Sequence, residues 1–547
     1  MKTASIRNWP LLISVFIVSI LSQDLVGQGN SSGNPFAAFP ERDAEITYTN
    51  PVIPGFYSDP SICRVGEDYY LISSTFEYFP GVPIFHSKDL VNWEQIGHCI
   101  HRKEQLPKGV NIFAATLRHH KDTFYMITTN LTGTFGNFYV SATNPAGPWS
   151  DPVFIDVPGI DPDLFFDDDG KTYVISSPFI LYEIDLEKGE LLGKGRKVWN
   201  GTGGRYAEGP HIYKKDGYYY LMGAEGGTEE AHSETIARSH SIWGPYTDNP
   251  ANPILAHANA AGQGNPIQGV GHADIIQAHD KSWWMVFHGY RTVSDKAHHI
   301  LGRETCLAPV SWPKNAWPVV NGNGTVTVNM NCPTLPLKPF PKKPERLEFD
   351  ARELGLEWNF VQIPEEQNYS LSQREGYLRL KGAAESLGNK KTSTFVGRRL
   401  TDFYFTATAS LEFDPKKDNE EAGMTLLNNG SHFDLAIHKK GEERILVVKL
   451  QFGQTLYKSE TVFLEPGPVL LRVTGEKSSF TFSYAQGEEA FTDIETVDSK
   501  FLATETVGFF TGVYVGFYAT GNGEGSTAFA DYDWFEYVVN DSPRKSR

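Results

Sequence analysis

Short apolar and aromatic runs alternate with polar turns along most of the chain. Five segments share one pattern: an apolar strand, a polar turn that contains Asp, and an aromatic strand. These segments begin at Asp59, Ala114, Asp161, Glu208 and His272. Short alternating runs bounded by Gly, Asp and Asn are typical of β-strands. The pattern therefore predicts an all-β protein.

A second pair of strands is predicted after each of these hairpins, for example in "GVPIFHSKDLVNWEQIG" from Gly81. Four strands in a unit of about 50 residues match one blade of a β-propeller. Five such units between residues 50 and 315 predict a five-bladed propeller. The inner strand of each blade lines the central channel, so the first residues of the five segments should meet at one mouth. A β-sandwich with coincidental hairpins is the alternative, but it would not give such regular segment starts.

The proline-rich stretch "NCPTLPLKPFPKKPE" predicts a linker over residues 331–345. It separates the propeller, expected over residues 45–330, from further alternating strands such as "RILVVKLQF" from Arg444. These strands predict a C-terminal β-sandwich over residues 346–540. A length of 547 residues agrees with two domains, because it exceeds what one ordinary core accommodates.

The N-terminus is predicted to be a signal peptide over residues 1–28. Lys2 and Arg7 precede an apolar run over residues 11–21, and small and polar residues follow. A membrane anchor is the alternative, although the run is short for a bilayer. The expected location is thus secreted or periplasmic, with no membrane span in the mature protein.

Charge and cysteine content narrow the possible partners. A formal net charge of −17 argues against nucleic acid and is compatible with a neutral substrate. The spacing of the four cysteines matches no metal motif, and buried free thiols are preferred over any of the three possible disulfide pairings. These cysteines are Cys63, Cys99, Cys306 and Cys332.

Three of the five segment starts are carboxylates: Asp59, Asp161 and Glu208. Burial and mutual repulsion at one mouth should raise the pKa of at least one of them. Two carboxyl groups across a small pocket can hydrolyse a glycoside, because the protonated one donates to the leaving oxygen while the ionised one activates water. Binding of Ca²⁺ or capping of turns are the alternatives. The Asp run over residues 167–169 precedes Gly170 and is interpreted as turn chemistry.

Four separated motifs resemble glycoside hydrolase family 43, in its two-domain β-xylosidase and α-L-arabinofuranosidase branch. They are "NPVIPGFYSDPSIC" from Asn50, "GIDPDLFF" from Gly159, "RYAEGPHIY" from Arg205 and "HHILGRETC" from His298. The resemblance implies that Asp59 is the general base, Glu208 the general acid, and Asp161 the residue that tunes the pKa of the acid and orients it. It also implies inverting hydrolysis from the non-reducing end, and a C-terminal domain similar to concanavalin.

The resemblance further implies that Phe76, Phe113, Arg303 and His272 contact the sugar. Phe113 lies where the family usually has Trp, in a motif that reads Phe-Ala-Ala here instead of Trp-Ala-Pro. Core packing of the phenylalanines and a structural ion pair of Arg303 are the alternatives. The chemistry should need no cofactor. A structural Ca²⁺ is possible, near His272 or in a second-domain cluster formed by Asp350, Asp531 and Asp533.

The expected function is removal of α-L-arabinofuranosyl units from plant cell-wall polysaccharide side chains or oligosaccharides. An exo-β-D-xylosidase, or an enzyme with both activities, is the first alternative. A sugar-binding propeller without turnover and an endo-acting arabinanase are the others. The second domain could be a carbohydrate-binding module. A support that lends a loop to the active site is preferred, because the domain packs on the propeller in this branch.

Overall fold

The computed structural model describes residues 47–258, 264–293, 298–331, 334–388, 393–508 and 510–542. Strands make up nearly all of the regular structure in these ranges. Helical turns occur at Glu366–Asn368, Ser499–Leu502 and Thr504–Val507. The predicted signal peptide and Cys332 lie outside the described residues, whereas Cys63, Cys99 and Cys306 are buried free thiols, as predicted. No helix in the described ranges has the length and apolar character needed to cross a membrane.

Five antiparallel sheets form the blades of the predicted propeller, so the expected fold is confirmed. Blade 1 contains Ser61–Val65, Asp68–Ile72, Gly81–Ser87 and Glu94–Ile100. Blade 2 contains Thr116–His120, Thr123–Asn130, Gly136–Ala142 and Val153–Ile155. Blade 3 contains Asp163–Phe166, Thr172–Ser176, Ile180–Asp185, Glu190–Leu191 and Arg196–Lys197. Blade 4 contains Glu208–Lys215, Tyr218–Glu225, Ser233–Ser239, Thr247–Asp248 and Leu255–Ala256. Blade 5 contains Ile267–Gln277, Trp283–Arg291, Glu304–Ser311 and Val319–Val320.

The first strand of each blade is the innermost, because the first strands of neighbouring blades contact one another. Tight polar turns join these strands to the second strands. In blade 3 the turn is the predicted Asp run: the Gly170 amide donates to the carbonyl of Asp167 at 3.1 Å. Gly170 has φ +85°, a conformation that glycine adopts without steric cost.

The second domain is a sandwich of two antiparallel sheets, as the alternating strands predict. The larger sheet contains Arg346–Leu347, Tyr369–Ser370, Leu378–Lys381, Phe405–Phe413, Val469–Glu476, Ser479–Ala485, Thr492–Asp498 and Phe529–Val539. The smaller sheet contains Thr394–Arg399, Glu421–Asn428, Ser431–Lys440, Glu443–Phe452, Thr455–Lys458, Val462–Phe463 and Tyr514–Thr520. Inward side chains of both sheets, such as Leu411 and Val473 from one and Leu435 and Phe517 from the other, are fully buried and form its core.

Backbone pairing and aromatic packing join the propeller to the sandwich domain. Tyr78–Phe79, in the connection between the second and third strands of blade 1, pairs with Phe360–Val361. The Tyr78 ring stacks on Tyr514 with centroids 3.9 Å apart. Arg399 of the sandwich places its guanidinium 4.4 Å from the centre of the Tyr57 ring. A two-stranded sheet, Thr47–Thr49 with Asn329–Asn331, ties the start of the propeller to the residues that follow blade 5.

Candidate active site

A cavity of about 320 Å³ opens at the end of the propeller channel where the inner strands of the blades begin. All seven residues that the sequence predicts for the site lie in its wall. They are Asp59, Phe76, Phe113, Asp161, Glu208, His272 and Arg303. Sequence reasoning missed Tyr206, Thr228, Glu229 and Phe510, which also line it.

The backbone at the start of the inner strands directs the carboxylates into the cavity. Asp59 and Asp161 each precede an inner strand by two residues and have φ values of +53° and +54°. Glu208 begins the inner strand of blade 4, just before a register shift that separates it from His211. Left-handed residues and bulges interrupt regular pairing and re-aim side chains, often at functional sites. The local irregularity is therefore what brings three acids from three blades together.

Asp59 is held as a carboxylate by the groups around it. Arg303 donates from Nη1 to Asp59 Oδ1 at 2.8 Å, and His288 Nδ1 lies 3.0 Å from the same oxygen. The Ser58 hydroxyl donates to Oδ2 at 3.1 Å. Burial alone would raise the pKa of Asp59, but the Arg303 charge and the neighbouring histidines hold that pKa well below its ordinary value. Asp59 is therefore ionised at neutral pH, the state that a general base requires.

Glu208 has the opposite property. Burial, followed by the negative charge of Asp59, raises the pKa of Glu208 to about 7, although Arg303 opposes the shift. A carboxyl group with that pKa is protonated at mildly acidic pH and about half protonated at pH 7. The cavity thus pairs an ionised Asp59 with a Glu208 that keeps its proton up to about neutral pH, the division of roles that acid–base catalysis requires.

Asp161 bonds to the main chain that carries Glu208. Its Oδ2 accepts from the Gly209 amide at 3.3 Å and from the Ser177 hydroxyl at 3.5 Å. Burial, then the neighbouring Glu208 and Asp59, raise the pKa of Asp161 well above its ordinary value. Through Gly209, Asp161 fixes the backbone immediately after Glu208.

Three phenylalanines form one wall. The Phe76 ring lies 4.9 Å from Phe113 and 5.5 Å from Phe510, measured between centroids. Phe76 is almost fully buried, so it serves the packing of the wall as well as the cavity. Phe510 comes from the sandwich domain. The second domain therefore lends a loop residue to the site, which agrees with the preferred expectation.

Arg303 does not form an ion pair with the adjacent Glu304. That carboxylate is bound by Arg291, whose Nε and Nη2 donate at 2.8 and 2.9 Å. Arg303 instead reaches Asp59 and places its guanidinium 5.7 Å from the Phe76 ring centre and 5.4 Å from the Phe510 ring centre. It therefore belongs to the cavity, between the base candidate and the aromatic wall.

Two family models cover the two domains. Residues 48–318 match glycosyl hydrolases family 43, and residues 346–538 match the beta xylosidase C-terminal concanavalin A-like domain. A non-reducing end alpha-L-arabinofuranosidase of Bacteroides ovatus is 43% identical over 508 residues, covering 90% of this chain and 95% of that protein. The chain belongs to glycosyl hydrolase family 43.

Other members of family 43 are also similar over nearly their full length. A xylosidase/arabinosidase of Butyrivibrio fibrisolvens is 38% identical over 516 residues, covering 90% of this chain and 99% of that protein. The solved structure of Bacteroides ovatus Xyloglucan PUL GH43B superposes with a TM-score of 0.87 at 42% identity. That match covers 90% of this chain and all of the other. The protein is therefore a glycoside hydrolase with the two-domain organisation of these relatives.

Behind the cavity of this family 43 enzyme, Arg118 occupies the propeller axis. It extends from the inner strand of blade 2 and contacts the inner strand of every other blade. Its partners are Ser61 Oγ at 3.4 Å, Asp163 Oδ2 at 2.9 Å, His211 Nδ1 at 3.0 Å and Asp274 Oδ2 at 2.8 Å. The guanidinium thus links the inner strands of all five blades. Sequence reasoning missed it.

The donor set along the axis does not suit the Ca²⁺ ion that the family resemblance suggests. The axial carboxylates, Asp163 and Asp274, are already bound by Arg118. Beside the cavity, His272 Nδ1 lies 3.7 Å from Asp59 Oδ1, an oxygen that Arg303 already binds. In the second domain, Asp531 is bound by Arg374 and Arg379. Across the described ranges, no group of three or more His, Cys, Asp or Glu side chains is arranged for a metal ion.

Proposed function

We propose that this protein is an exo-acting, inverting glycosidase that removes α-L-arabinofuranosyl units from the non-reducing ends of plant cell-wall polysaccharide side chains or oligosaccharides. One observation carries the proposal: an ionised Asp59 and a protonated Glu208 face the same cavity. The presence of both groups with suitable pKa values speaks against a binding protein that has lost turnover.

In the proposed reaction Asp59 removes a proton from water as the water oxygen attacks the anomeric carbon. The bond from that carbon to the glycosidic oxygen breaks, and Glu208 gives its proton to the departing oxygen. The configuration at the anomeric carbon inverts. Asp161 acts as a positioning residue, since its bond to the Gly209 amide holds the backbone beside the acid.

The size and walls of the cavity support exo action. A cavity of about 320 Å³ is at the small end of the range for ligand sites and suits a single sugar. Phe76, Phe113 and Phe510 provide an apolar wall, and Arg303 provides hydrogen-bond donors for hydroxyl groups. An endo-acting enzyme would need an open groove with room for sugars on both sides.

The choice of arabinose follows the names of the similar proteins and the altered wall at Phe113. A β-D-xylosidase activity, alone or in addition, is the second candidate, because the Butyrivibrio fibrisolvens relative is named for both sugars. The N-terminal 28 residues support a secreted or periplasmic location, where polysaccharide fragments would be met.

Hydrolysis of nitrophenyl α-L-arabinofuranoside, nitrophenyl β-D-xyloside and an arabinofuranosyl oligosaccharide tests the proposal in the wild type and in Glu208→Ala. The variant should lose about 10²–10⁴-fold in kcat on the oligosaccharide, and less on the nitrophenyl glycosides, whose leaving group needs little acid assistance. Glu488→Ala, at an exposed position of the sandwich, is the control. Release of oligosaccharides instead of a single pentose would favour endo action. Binding of pentosides by the wild type without cleavage would overturn the hydrolase proposal.

The stereochemical course needs a separate experiment. Proton NMR of the first product formed from an α-L-arabinofuranoside should record the β-anomer before mutarotation. Appearance of the α-anomer first would contradict inversion and imply a covalent intermediate.

A further inference from the structure

The mouth of the cavity has an aromatic side chain that the proposed reaction does not use. Tyr206 lines the cavity yet is 67% exposed, among the most exposed large hydrophobic side chains in the described ranges. Its φ is +53°, a conformation that is costly for a bulky residue. An exposed ring on a strained backbone must be held there by its surroundings.

The segment before Tyr206 is fixed from within by Glu225. This carboxylate is buried at the end of the second strand of blade 4. It accepts from the Thr202 amide at 2.6 Å, from the Thr202 hydroxyl at 2.7 Å and from the Gly204 amide at 2.8 Å. Three bonds to one ionisable side chain make this segment a rigid frame.

Arg205 completes the frame. The Gly226 amide donates to the carbonyl of Arg205 at 2.8 Å, and Arg205 Nε donates to the carbonyl of Gly226 at 2.9 Å. The Arg205 guanidinium forms an ion pair with Glu229 and lies 5.4 Å from the centre of the Tyr206 ring. The ring is thus supported by a cation that is itself held at two points.

The position of Tyr206 relative to Glu208 indicates what the ring contacts. Tyr206 precedes Glu208 by two residues, and both line the cavity. Glu208 must reach the glycosidic oxygen, so the sugar on the far side of that bond lies next to Glu208 and towards the mouth. The deep wall, formed by Asp59, Phe76 and Arg303, contacts the pentose at the non-reducing end, which is cut off as a monosaccharide.

We propose that Tyr206, with Arg205 and Glu229, forms the binding site for the leaving sugar, that is, the unit of the remaining chain to which the pentose is attached. The inference rests on the proposed function and adds to it a site for this part of the substrate. The ligand is a neutral sugar unit that stacks a C–H face of its ring on the Tyr206 ring. A neutral ligand fits because Arg205 and Glu229 cancel each other's charge while leaving hydroxyl-binding atoms at the mouth.

The test compares a substrate that reaches Tyr206 with one that does not. Hydrolysis of arabinofuranosyl-xylotriose and of methyl α-L-arabinofuranoside is measured for the wild type, Tyr206→Ala and Tyr206→Phe. In Tyr206→Ala the ratio of kcat/KM for the oligosaccharide to kcat/KM for the methyl glycoside should fall about tenfold, the size of effect expected for one aromatic contact. Tyr206→Phe keeps the ring and should restore most of the ratio. Tyr457→Ala, at a partly exposed tyrosine of the sandwich, should leave the ratio unchanged.

Equal losses of kcat/KM on both substrates would overturn the proposal, because Tyr206 would then act through the geometry of Glu208. Unchanged kcat/KM on both substrates would also overturn it. Binding of xylotriose, the product without arabinose, is measured by calorimetry as a readout independent of turnover. The dissociation constant should rise about tenfold in Tyr206→Ala. If the wild type cleaves neither substrate but Tyr206→Ala still weakens xylotriose binding, the proposed function fails while the sugar site stands. If xylotriose binding does not depend on Tyr206, the site fails whatever the enzyme cleaves.

Discussion

At the scale of single residues, Asp59 and Glu208 carry the same functional group but have different pKa values because their surroundings differ. Asp59 bonds to Arg303 and lies beside His288, whereas the pKa of Glu208 is set mainly by its burial and by the negative charge of Asp59. One arginine therefore lowers the pKa of the nearer carboxyl group more effectively than that of the farther one. The same functional group can therefore provide both the base and the acid of the proposed reaction.

The raised pKa of Glu208 predicts the pH dependence. A protonated acid is needed, so kcat/KM for an oligosaccharide should decline as the pH rises through about 7, while Asp59 remains ionised. Asp59→Asn removes the charge that helps to raise the pKa of Glu208, and that pKa should fall. Carbon-13 NMR of the glutamate carboxyl groups in the wild type and Asp59→Asn measures it. A rate profile that stays flat from pH 6 to pH 9 would contradict this assignment of the acid.

The same shift has a consequence for stability. Because the pKa of Glu208 is raised in the folded state, its stabilising effect is fully present below the unfolded pKa near 4.5 and is lost as the pH rises through about 7. Glu208→Gln removes this dependence, so its free energy of unfolding relative to the wild type should increase between pH 5 and pH 9, by at most about 3 kcal/mol. Urea unfolding at both pH values measures the difference. A constant difference would mean that the raised pKa is wrong.

At the scale of elements, Arg118 joins the inner strands of all five blades. Within the part of the chain that the structure describes, Arg118 is the only blade 2 side chain that bonds to the inner strands of blades 1, 3, 4 and 5 at once. Its charge is balanced by Asp163 and Asp274, both buried. The inner strands therefore depend on each other through one guanidinium.

Arg118→Met should destabilise the protein by about 3–5 kcal/mol, because it leaves two carboxylates buried without their cation. Equilibrium unfolding in urea measures the loss. Combining it with Asp274→Asn should recover part of the stability, since one uncompensated charge is removed. Lys171→Met breaks the exposed ion pair with Glu183 and should change stability by less than about 1 kcal/mol. Similar effects of the two single substitutions would contradict the role of Arg118.

The blades and the three carboxylates could be predicted because the same hairpin pattern recurs five times along the sequence, with a carboxylate at the start of three copies. Each hairpin carries the same pattern, so its first residue falls near the mouth of the channel, although His272 lies within the strand Ile267–Gln277 and Asp59 and Asp161 lie ahead of theirs. Arg118 gave no such signal: in "TLRHH" it occupies an ordinary polar position of an alternating strand. Its role arises only when the five blades close around it.

Tyr206 and Phe510 were missed for related reasons. Tyr206 lies within the motif "RYAEGPHIY", but nothing in the motif reveals that its left-handed backbone leaves the ring exposed. Phe510 belongs to the second domain, and its place in the cavity depends on how the two domains pack. The sequence pattern specifies elements and their repeats, whereas contacts between distant elements are settled by packing.

At the scale of the whole molecule, the cavity wall belongs to both domains. Phe510 of the sandwich closes the wall against Phe76 and Phe113 of the propeller. The domains are held in this arrangement by the pairing of Tyr78–Phe79 with Phe360–Val361 and by the bond from Arg291 to Asp402 at 3.1 Å. The sandwich is therefore part of the active site as well as a support for it.

Phe510→Ala should lower kcat/KM about tenfold for every pentoside, whatever its leaving group, because the wall faces the sugar that is released. Steady-state kinetics on methyl and oligosaccharide substrates measures it. This uniform loss differs from the selective loss expected for Tyr206→Ala. Phe463→Ala, at an exposed phenylalanine of the same domain, is the control. Unchanged kinetics in Phe510→Ala would mean that the sandwich contributes nothing to sugar binding.

The guanidinium across the propeller axis also bears on the order in which products leave. Because Arg118 bonds to the inner strands from all sides of the axis, we expect whatever enters the cavity at the mouth to depart by the mouth. The leaving chain lies over that mouth, so it has to go first and the single pentose follows. The enzyme should then dissociate from the polymer after each cleavage. Free pentose, as the last product to leave, should compete with the next chain end for the cavity.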